Sequence, residues 1–375
     1  METVLQIVAF NIPYPPDYGG VIDIFYKVKV LSECGVSVYL HSFEYNRPQV
    51  SELEKYCAKV FYYPRKKGLR YQFSSKPYIV ITRVNDQLIN NLSENKYPVL
   101  FEGLHTCYYL SHPALANRVR LVRTHNIEHE YYRNLCRAEA NPFKKLFFGI
   151  EALKLSAYEK VLKNASDLLC ISPNDNYWFD RKYGNSHFVP AFHPFNEIKS
   201  KTGRGNYILF HGNLSVSENI QAVEFLIRNV FPNIRQEIRI AGKNPPDKLV
   251  SKLMRFANVK LISNPENAEM ESLIENAQIC LLPTFQESGL KLKLLASLFS
   301  GRFCIANTAM VHKTGLEHLC HLADKPEEMI HLINELFVLE FTAEEIEKRK
   351  IILEDTFSNR NNAMKIIRLI KDKQK

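Results

Sequence analysis

Along the whole chain, short runs of β-branched and aromatic residues alternate with longer stretches whose apolar positions recur every three to four residues. That alternation predicts βα units stacked into parallel sheets. In the first half the predicted strands are Val4–Phe10, Val36–Phe43, Val60–Tyr63, Val99–Glu102, Leu121–Thr124, Leu168–Ser172 and His187–Val189. Between them lie helical patterns such as Val21–Glu33, which Gly35 can end from a left-handed conformation, and Phe143–Asn164. In the second half the strands are Tyr207–His211, Ile238–Ala241, Val259–Ile262, Ile279–Leu282 and Phe303–Ala306, with helices near Glu218–Asn229, Asp247–Phe256, Ala268–Asn276 and Gly289–Ser300. The chain then ends in charged helical periodicity over Glu327–Leu339, Ala343–Leu353 and Asn359–Lys373.

The rhythm breaks at Pro190–Asn206, PAFHPFNEIKSKTGRGN, where prolines, glycines and polar residues read as a linker. The expected organisation is two doubly wound, Rossmann-like α/β domains, residues 1–192 and 207–355, joined by a linker at 193–206 and followed by a helix at 356–375. Open α/β sheets bind ligands outside the carboxyl ends of their strands. Function is therefore expected in the post-strand loops, in a cleft between the two domains.

Composition narrows the class. With 375 residues, 46% apolar and 24% charged, the chain has ordinary globular composition, which excludes disorder, collagen and coiled coil. No apolar run reaches the roughly 20 residues that span a bilayer, and METVLQIVAF lacks the basic start of a signal peptide, so a cytoplasmic, non-spanning protein is expected. The 8 cysteines form no CxxC pair, which argues against a zinc ribbon or a disulfide scaffold. A net charge of +9 suits a nucleotide, a phosphorylated substrate or an anionic membrane face, and is too diffuse to indicate nucleic acid.

Four loops carry candidate chemistry. After the first strand, Asn11–Gly20 delivers Asp17 and the pair Gly19, Gly20 to a helix start, where close backbone approach suits an anion or sugar hydroxyls; a stiff Pro-rich turn reads equally well. No GxGxxG or GxxxxGK[ST] sequence occurs, so simple dehydrogenases and P-loop kinases lose support. After the fifth strand comes Arg123-Thr-His-Asn-Ile-Glu-His-Glu130, in which His125 can orient or polarise a substrate, or simply cap the structure. The same letters fit HxxEH, His125, Glu128 and His129, an inverted zincin pattern that needs all three on one helix. In Phe210–Asn219, Gly212 permits close approach, Asn213, Ser215, Ser217 and Asn219 supply hydrogen-bond groups, and Ser217 is suited to cap a helix opened by Glu218. Finally, Leu282–Lys293 combines a polar loop containing Gly289 with a helix start bearing Lys291 and Lys293. Lysines oppose the helix dipole there unless an anion binds, so this segment reads as a diphosphate cradle.

Together these segments resemble the GT-B glycosyltransferases, specifically the retaining, nucleotide-sugar-dependent kind of family 4. The resemblance rests on PPxxGG (Pro15 to Gly20), HN-x-E (His125 to Glu128), Gly212 to Asn219, Ile240-Ala-Gly242, and a version of G-x-x-x-K-x-L-E-A-x-x-x-G from Gly289 to Gly301. It implies a GT-B fold with the C-terminal helix crossing back to the first domain. It also implies His125 as catalytic residue, an acceptor or cleft surface at Asp17, Gly19, Gly20, Asn126 and Glu128, and a donor site at Gly212, Asn213, Asn219, Lys243, Glu287, Ser288, Gly289, Leu290, Lys291 and Lys293. The partners it implies are a UDP- or GDP-sugar and a glycan or lipid-linked acceptor in surface polysaccharide synthesis. No cofactor and no metal are expected; the leaving diphosphate itself takes the acceptor's proton on the face it leaves.

The sequence departs from the family where a glutamate usually holds the donor ribose, reading Leu295-Ala296-Ser297 instead. In place of a basic pair in the preceding segment it has Asn213 and Asn219, leaving the charge to Lys243, Lys291 or Lys293. This motivates a second reading, a GT-B-like protein that binds a glycan or a partner transferase without catalysis; the HxxEH hydrolase is a third. Two stretches of the first domain, Arg65–Phe73 and Pro142–Phe148, interleave cations with aromatic rings, which suits peripheral contact with an anionic membrane.

Overall fold

The computed structural model describes residues 3–17, 19–139, 141–286 and 291–374. The chain forms two compact units: Met1–Pro194 together with Phe357–Lys375, and Phe195–Thr356.

The first unit is built on a seven-stranded sheet: β1 (Thr3–Ala9), β2 (Val36–Glu44), β3 (Lys59–Pro64), β4 (Val99–Glu102), β5 (Arg120–Thr124), β6 (Asp167–Cys170) and β7 (Ser186–Phe188). Their order is β3-β2-β1-β4-β5-β6-β7, and every pairing is parallel. Alternate side chains feed two apolar layers. Leu5, Ile7 and Ala9 pack with Ile24, Val28 and Leu31 of the helix Gly19–Glu33 and with Ile366, Ile367 and Ile370 of the C-terminal helix Asn359–Asp372. Val8, Phe101 and Val122 pack with Val80, Leu88, Leu155 and Phe179 on the opposite face. Burial on both faces is why these strands read as continuous apolar runs.

The second unit repeats the plan with β8 (Ile208–His211), β9 (Ile238–Gly242), β10 (Val259–Ser263), β11 (Ile279–Leu282), β12 (Phe303–Ala306) and the two-residue edge strand β13 (His321–Leu322), in the order β10-β9-β8-β11-β12-β13 and again all parallel. In each sheet the strand order reverses beside the first strand of the unit, between β1 and β4 and between β8 and β11. Two crevices for ligands follow from that topology.

Several local expectations change. The helix foreseen over Phe143–Asn164 runs Pro142–Tyr158 and tightens into a 3₁₀ turn at Glu159–Asn164. Ser217 is the first helical residue of Ser217–Asn229; Val216 stands at the cap position and no side chain caps that end. Residues 195–206 lie in the second unit, where Lys199 N donates to Phe299 O, Ser200 Oγ to Gly301 O, and Gly203 and Phe341 exchange backbone bonds. Buried Arg349 completes this seam, giving its guanidinium to Ser200 Oγ and to the carbonyls of Leu298, Gly301 and Arg302. Those carbonyls lie in the last turn of the helix Leu292–Ser300 and just beyond it, where the helix itself supplies no donor.

Candidate active site

At the mouth of the first sheet, the helix Gly19–Glu33 starts beside β1 because Gly20 lets Phe10 in: a Cβ there would lie 2.7 Å from Phe10 Cζ. The Phe10 ring in turn rests on His105 and meets His125 edge-on, with centroids 5.2 and 5.5 Å away. Beneath these rings sits a closed set of buried charges. Lys27 Nζ is 2.8 Å from both Asp23 Oδ2 and Glu102 Oε1. Arg123 grips Asp23 in fork geometry at 2.9 and 3.1 Å and reaches the backbone carbonyls of Val189 and Pro190. Phe192 N adds a bond of 2.7 Å to Asp23 Oδ1. Burial alone would raise the Asp23 carboxyl, but Arg123, then Lys27 and His125, hold it well below the usual carboxylate range.

His125 follows β5 directly and places Nε2 3.0 Å from Glu102 Oε2. Glu102 thus bridges a fixed cation, Lys27, and an imidazole at the surface of the mouth, and it fixes the ring's orientation. Next to it is a neutral pair. His105 Nδ1 stands 4.0 Å from Glu128 Oε1. Burial, with Arg83, His125 and Arg65, lowers the His105 imidazole well below its ordinary value. Burial pushes the Glu128 carboxyl up to about 8, against Arg83 and the Asn126 hydrogen bond, so it carries its proton at neutral pH. Asp17 lies at the exposed rim, paired with Arg47.

The HxxEH alternative does not survive this geometry. The helix Glu128–Ala138 begins after His125, and the two histidines serve different carboxylates: His125 meets Glu102, whereas His129 Nδ1 meets Glu159 Oε2 at 2.9 Å. Asp23, Glu102 and His125 do bring ligand atoms within 4.8 Å of one another. Their carboxylates, however, are already balanced by Lys27 and Arg123.

At the mouth of the second sheet, Gly212 follows β8 and touches Gly242 at the end of β9. A Cβ on Gly242 would fall 1.9 Å from Gly212 O, so the pair brings two strand ends together as no larger residue could. Asn213 closes the turn by accepting from Ser215 N and Oγ. Asn219, in the first turn of Ser217–Asn229, donates to Asn213 O at 2.8 Å and accepts from Lys293 Nζ at 2.7 Å. Lys291 stands at the cap of the helix Leu292–Ser300, bonded to Gln286 O at 2.7 Å and 3.9 Å from Glu218 Oε1. Thr284 bonds the same Glu218 oxygen, and Asn307 pins Thr284 through both backbone groups.

Lys293 lies 5.1 Å above the Phe210 ring; burial, with help from Lys291 and against Glu218, brings its ammonium down to about 8. Lys243 is exposed just past β9. Glu287, Ser288, Gly289 and Leu290 lie outside the described residues. Ala296 is buried, and Ser297 Oγ meets His211 Nε2 at 2.8 Å. Burial and Lys293 lower that imidazole to about 3.

The structure thus gathers Gly212, Asn213, Asn219, Lys291 and Lys293 in one mouth and Gly19, Gly20, His125, Asn126 and Glu128 in the other. Sequence reasoning missed Asp23, Lys27, Glu102, His105 and Arg123 in the first mouth, and Thr284, His211 and the bridging role of Glu218 in the second. The available signal was a charge set inside an apolar strand, Arg123 in LVRTH and Glu102 closing VLFE.

Comparison with known proteins bears on the fold. Residues 205–337 match the model for glycosyl transferases group 1. An uncharacterized 44.6 kDa protein in cps region of Klebsiella pneumoniae is 27% identical over 350 residues, covering 88% of this chain and 89% of that protein. Among solved structures, TarM superposes with a TM-score of 0.68 at 10% identity, covering 99% of each chain. A glycosyltransferase from Rickettsia africae ESF-5 gives 0.63 at 12%, covering 100% of this chain and 98% of its own. The lipopolysaccharide outer core galactosyltransferase WaaB in its apo form gives 0.61 at 14%, covering 96% and 99%.

Proposed function

We propose that this chain, a glycosyltransferase of the GT-B fold related to the family 4 enzymes, moves a hexose from a UDP- or GDP-sugar to a glycan or lipid-linked glycan acceptor in surface polysaccharide synthesis, with retention of configuration. The observation that carries this reading is the partly desolvated Lys293, held by the neutral Asn219 amide beside Lys291 at a helix start. A buried ammonium with a lowered pKa, held by an uncharged amide, is stabilised when an anion arrives, and a nucleotide diphosphate supplies one. The cps-region relative and the lipopolysaccharide galactosyltransferase support the polysaccharide context.

In this proposal Lys291, Lys293 and the helix start neutralise charge that builds on the leaving diphosphate, an electrostatic contribution that needs no carboxylate pair. Gly212 and Gly242 let backbone approach the donor, and Asn219 holds Lys293 in place. His125, fixed by Glu102, binds and orients the transferred sugar, while Gly19, Gly20, Asn126 and the protonated Glu128 present hydrogen-bond groups to hydroxyls. Retention follows if the diphosphate oxygen on the departing face takes the acceptor's proton, and its test is the anomeric configuration of the product. The whole reading is tested by incubating the protein with a panel of UDP- and GDP-sugars, with and without acceptor. Turnover of at least one donor is expected. Nucleotide binding without turnover would instead favour the non-catalytic binder.

A further inference from the structure

Two segments far apart in sequence meet on the surface of the first unit. Lys154 Nζ, on the helix Pro142–Tyr158, donates to Gln72 O at 2.6 Å, and the rings of Phe147 and Tyr78 meet edge-on at 6.3 Å. Phe147 and Phe148 turn inward, onto Tyr78 and Tyr132. Phe143, Leu146, Ile150 and Leu153 do the opposite: spaced by three, four and three residues, they fall within an arc of about 80° on one helix face and are exposed, from 44% at Ile150 to 83% at Phe143. Beside them, Leu69 and Phe73 are 72% and 89% exposed. Six large apolar side chains facing water form a patch of the kind that marks an interaction surface.

The charges around the patch select the occupant. Between Arg65 and Lys76 the chain carries Arg65, Lys66, Lys67, Arg70 and Lys76 and no carboxylate. Exposed Lys144 and Lys145 extend the cationic border along the helix. The single acid of that helix, Glu151, is buried and spent on Lys154 and Tyr78 N. Pairing of this face with its own copy about a two-fold axis would bring like charges together. An anionic bilayer instead complements both parts, with rings and aliphatic chains below the headgroups and lysines and arginines among them.

We infer that this face docks the protein on membranes bearing anionic lipid headgroups. Its use, meeting a lipid-linked acceptor, rests on the function proposed above; the surface itself rests on its own exposed side chains and charges. The full-length protein is sedimented with phosphatidylcholine vesicles with or without phosphatidylglycerol, at low and high salt. Pelleting is expected with phosphatidylglycerol at low salt and release at high salt. The Lys144→Glu/Lys145→Glu variant should weaken partitioning by more than tenfold, at roughly fivefold per cation removed. The Phe143→Ser/Leu153→Ser variant should weaken it at both salt concentrations. Because all four side chains are exposed, both variants should keep the parent melting temperature and the parent turnover on a water-soluble acceptor, which separates this test from that of the transferase reading. Absence of pelleting at low salt, or pelleting indifferent to both variants, overturns the inference. So does a vesicle-free dimer that Phe143→Ser/Leu153→Ser dissolves, since the face would then belong to a second copy.

Discussion

The two mouths solve opposite electrostatic problems. In the first, two cations and two carboxylates, Lys27, Arg123, Asp23 and Glu102, are buried together and neutralise one another. In the second, among the described residues, Lys293 is bonded to an uncharged amide, while Lys291 meets a backbone carbonyl and, at 3.9 Å, Glu218. A closed set of charges is rigid and keeps His125 in place; a buried ammonium held by an amide is ready for a ligand that brings negative charge. The contrast predicts that damage to the first mouth appears as lost stability and damage to the second as lost affinity.

The largest effect should come from Asp23→Ala. It leaves buried Arg123 without its carboxylate and Lys27 with Glu102 alone, and losing one partner from such a set costs about 3–5 kcal/mol. Chemical denaturation should show the loss, and a change below about 1 kcal/mol would mean the network is not pre-organised. At the edge of the same set, His125→Ala should lower turnover on the order of 100-fold through lost positioning of the sugar while the melting temperature barely moves. Equal turnover, or outright unfolding, would make His125 a structural residue.

In the second mouth, Lys293→Ala and Lys291→Ala should each weaken UDP or GDP binding by about 1.5–3 kcal/mol, measured calorimetrically, with little loss of stability. Two unaffected variants would remove the cradle assignment.

The remaining effects are in pH dependence, and they run in opposite directions. The folded Lys293 ammonium lies near 8, below its ordinary 10.5. Between those values the unfolded chain holds more protons, so this group's contribution to stability rises with pH. A bound diphosphate favours the protonated lysine, so nucleotide affinity should fall above pH 8, by at most about tenfold per unit. That slope should vanish in Lys293→Ala. The Glu128 carboxyl is raised from 4.5 to about 8. Across that window the folded chain holds more protons, so its contribution to stability falls as pH rises. Glu128→Gln should flatten that decline in a pH series of unfolding curves.

The fold was legible because it depends on local periodicity. Val99–Glu102, Ile279–Leu282 and Phe303–Ala306 run between the residues foreseen for them, and the other foreseen strands begin or end within two residues of theirs. The edge strand His321–Leu322 escaped because two residues carry no period. Gly35 does adopt a left-handed conformation, with φ of 82°. The Ser217 cap failed because serine at a helix start is as compatible with the first helical position as with the cap. The loops at the two mouths were legible where glycines and charges follow a strand, at Gly19–Gly20, His125 and Lys291–Lys293. The charge network was not, because Asp23 and Lys27 look like an ordinary exposed i,i+4 pair until the sheet sets Glu102 and Arg123 against them. Sequence spacing records which residues share a helix face, whereas burial of a charge depends on strands brought together from about 80 and 100 residues away.

Because Phe357–Lys375 belongs with Met1–Pro194, the second unit is an insertion within the first. His193 marks the junction: its N–H donates to Asn359 Oδ1, its carbonyl accepts from Asn359 Nδ2, and its imidazole Nε2 stands 2.8 Å from Phe357 O. During synthesis, therefore, the N-terminal half leaves the ribosome with the apolar ground for Ile366, Ile367 and Ile370 still uncovered, while the middle of the chain can close its own core first. The first unit reaches its final form last, after the final helix has been made, and it is exposed to chaperones and proteases for as long as translation of the insertion takes.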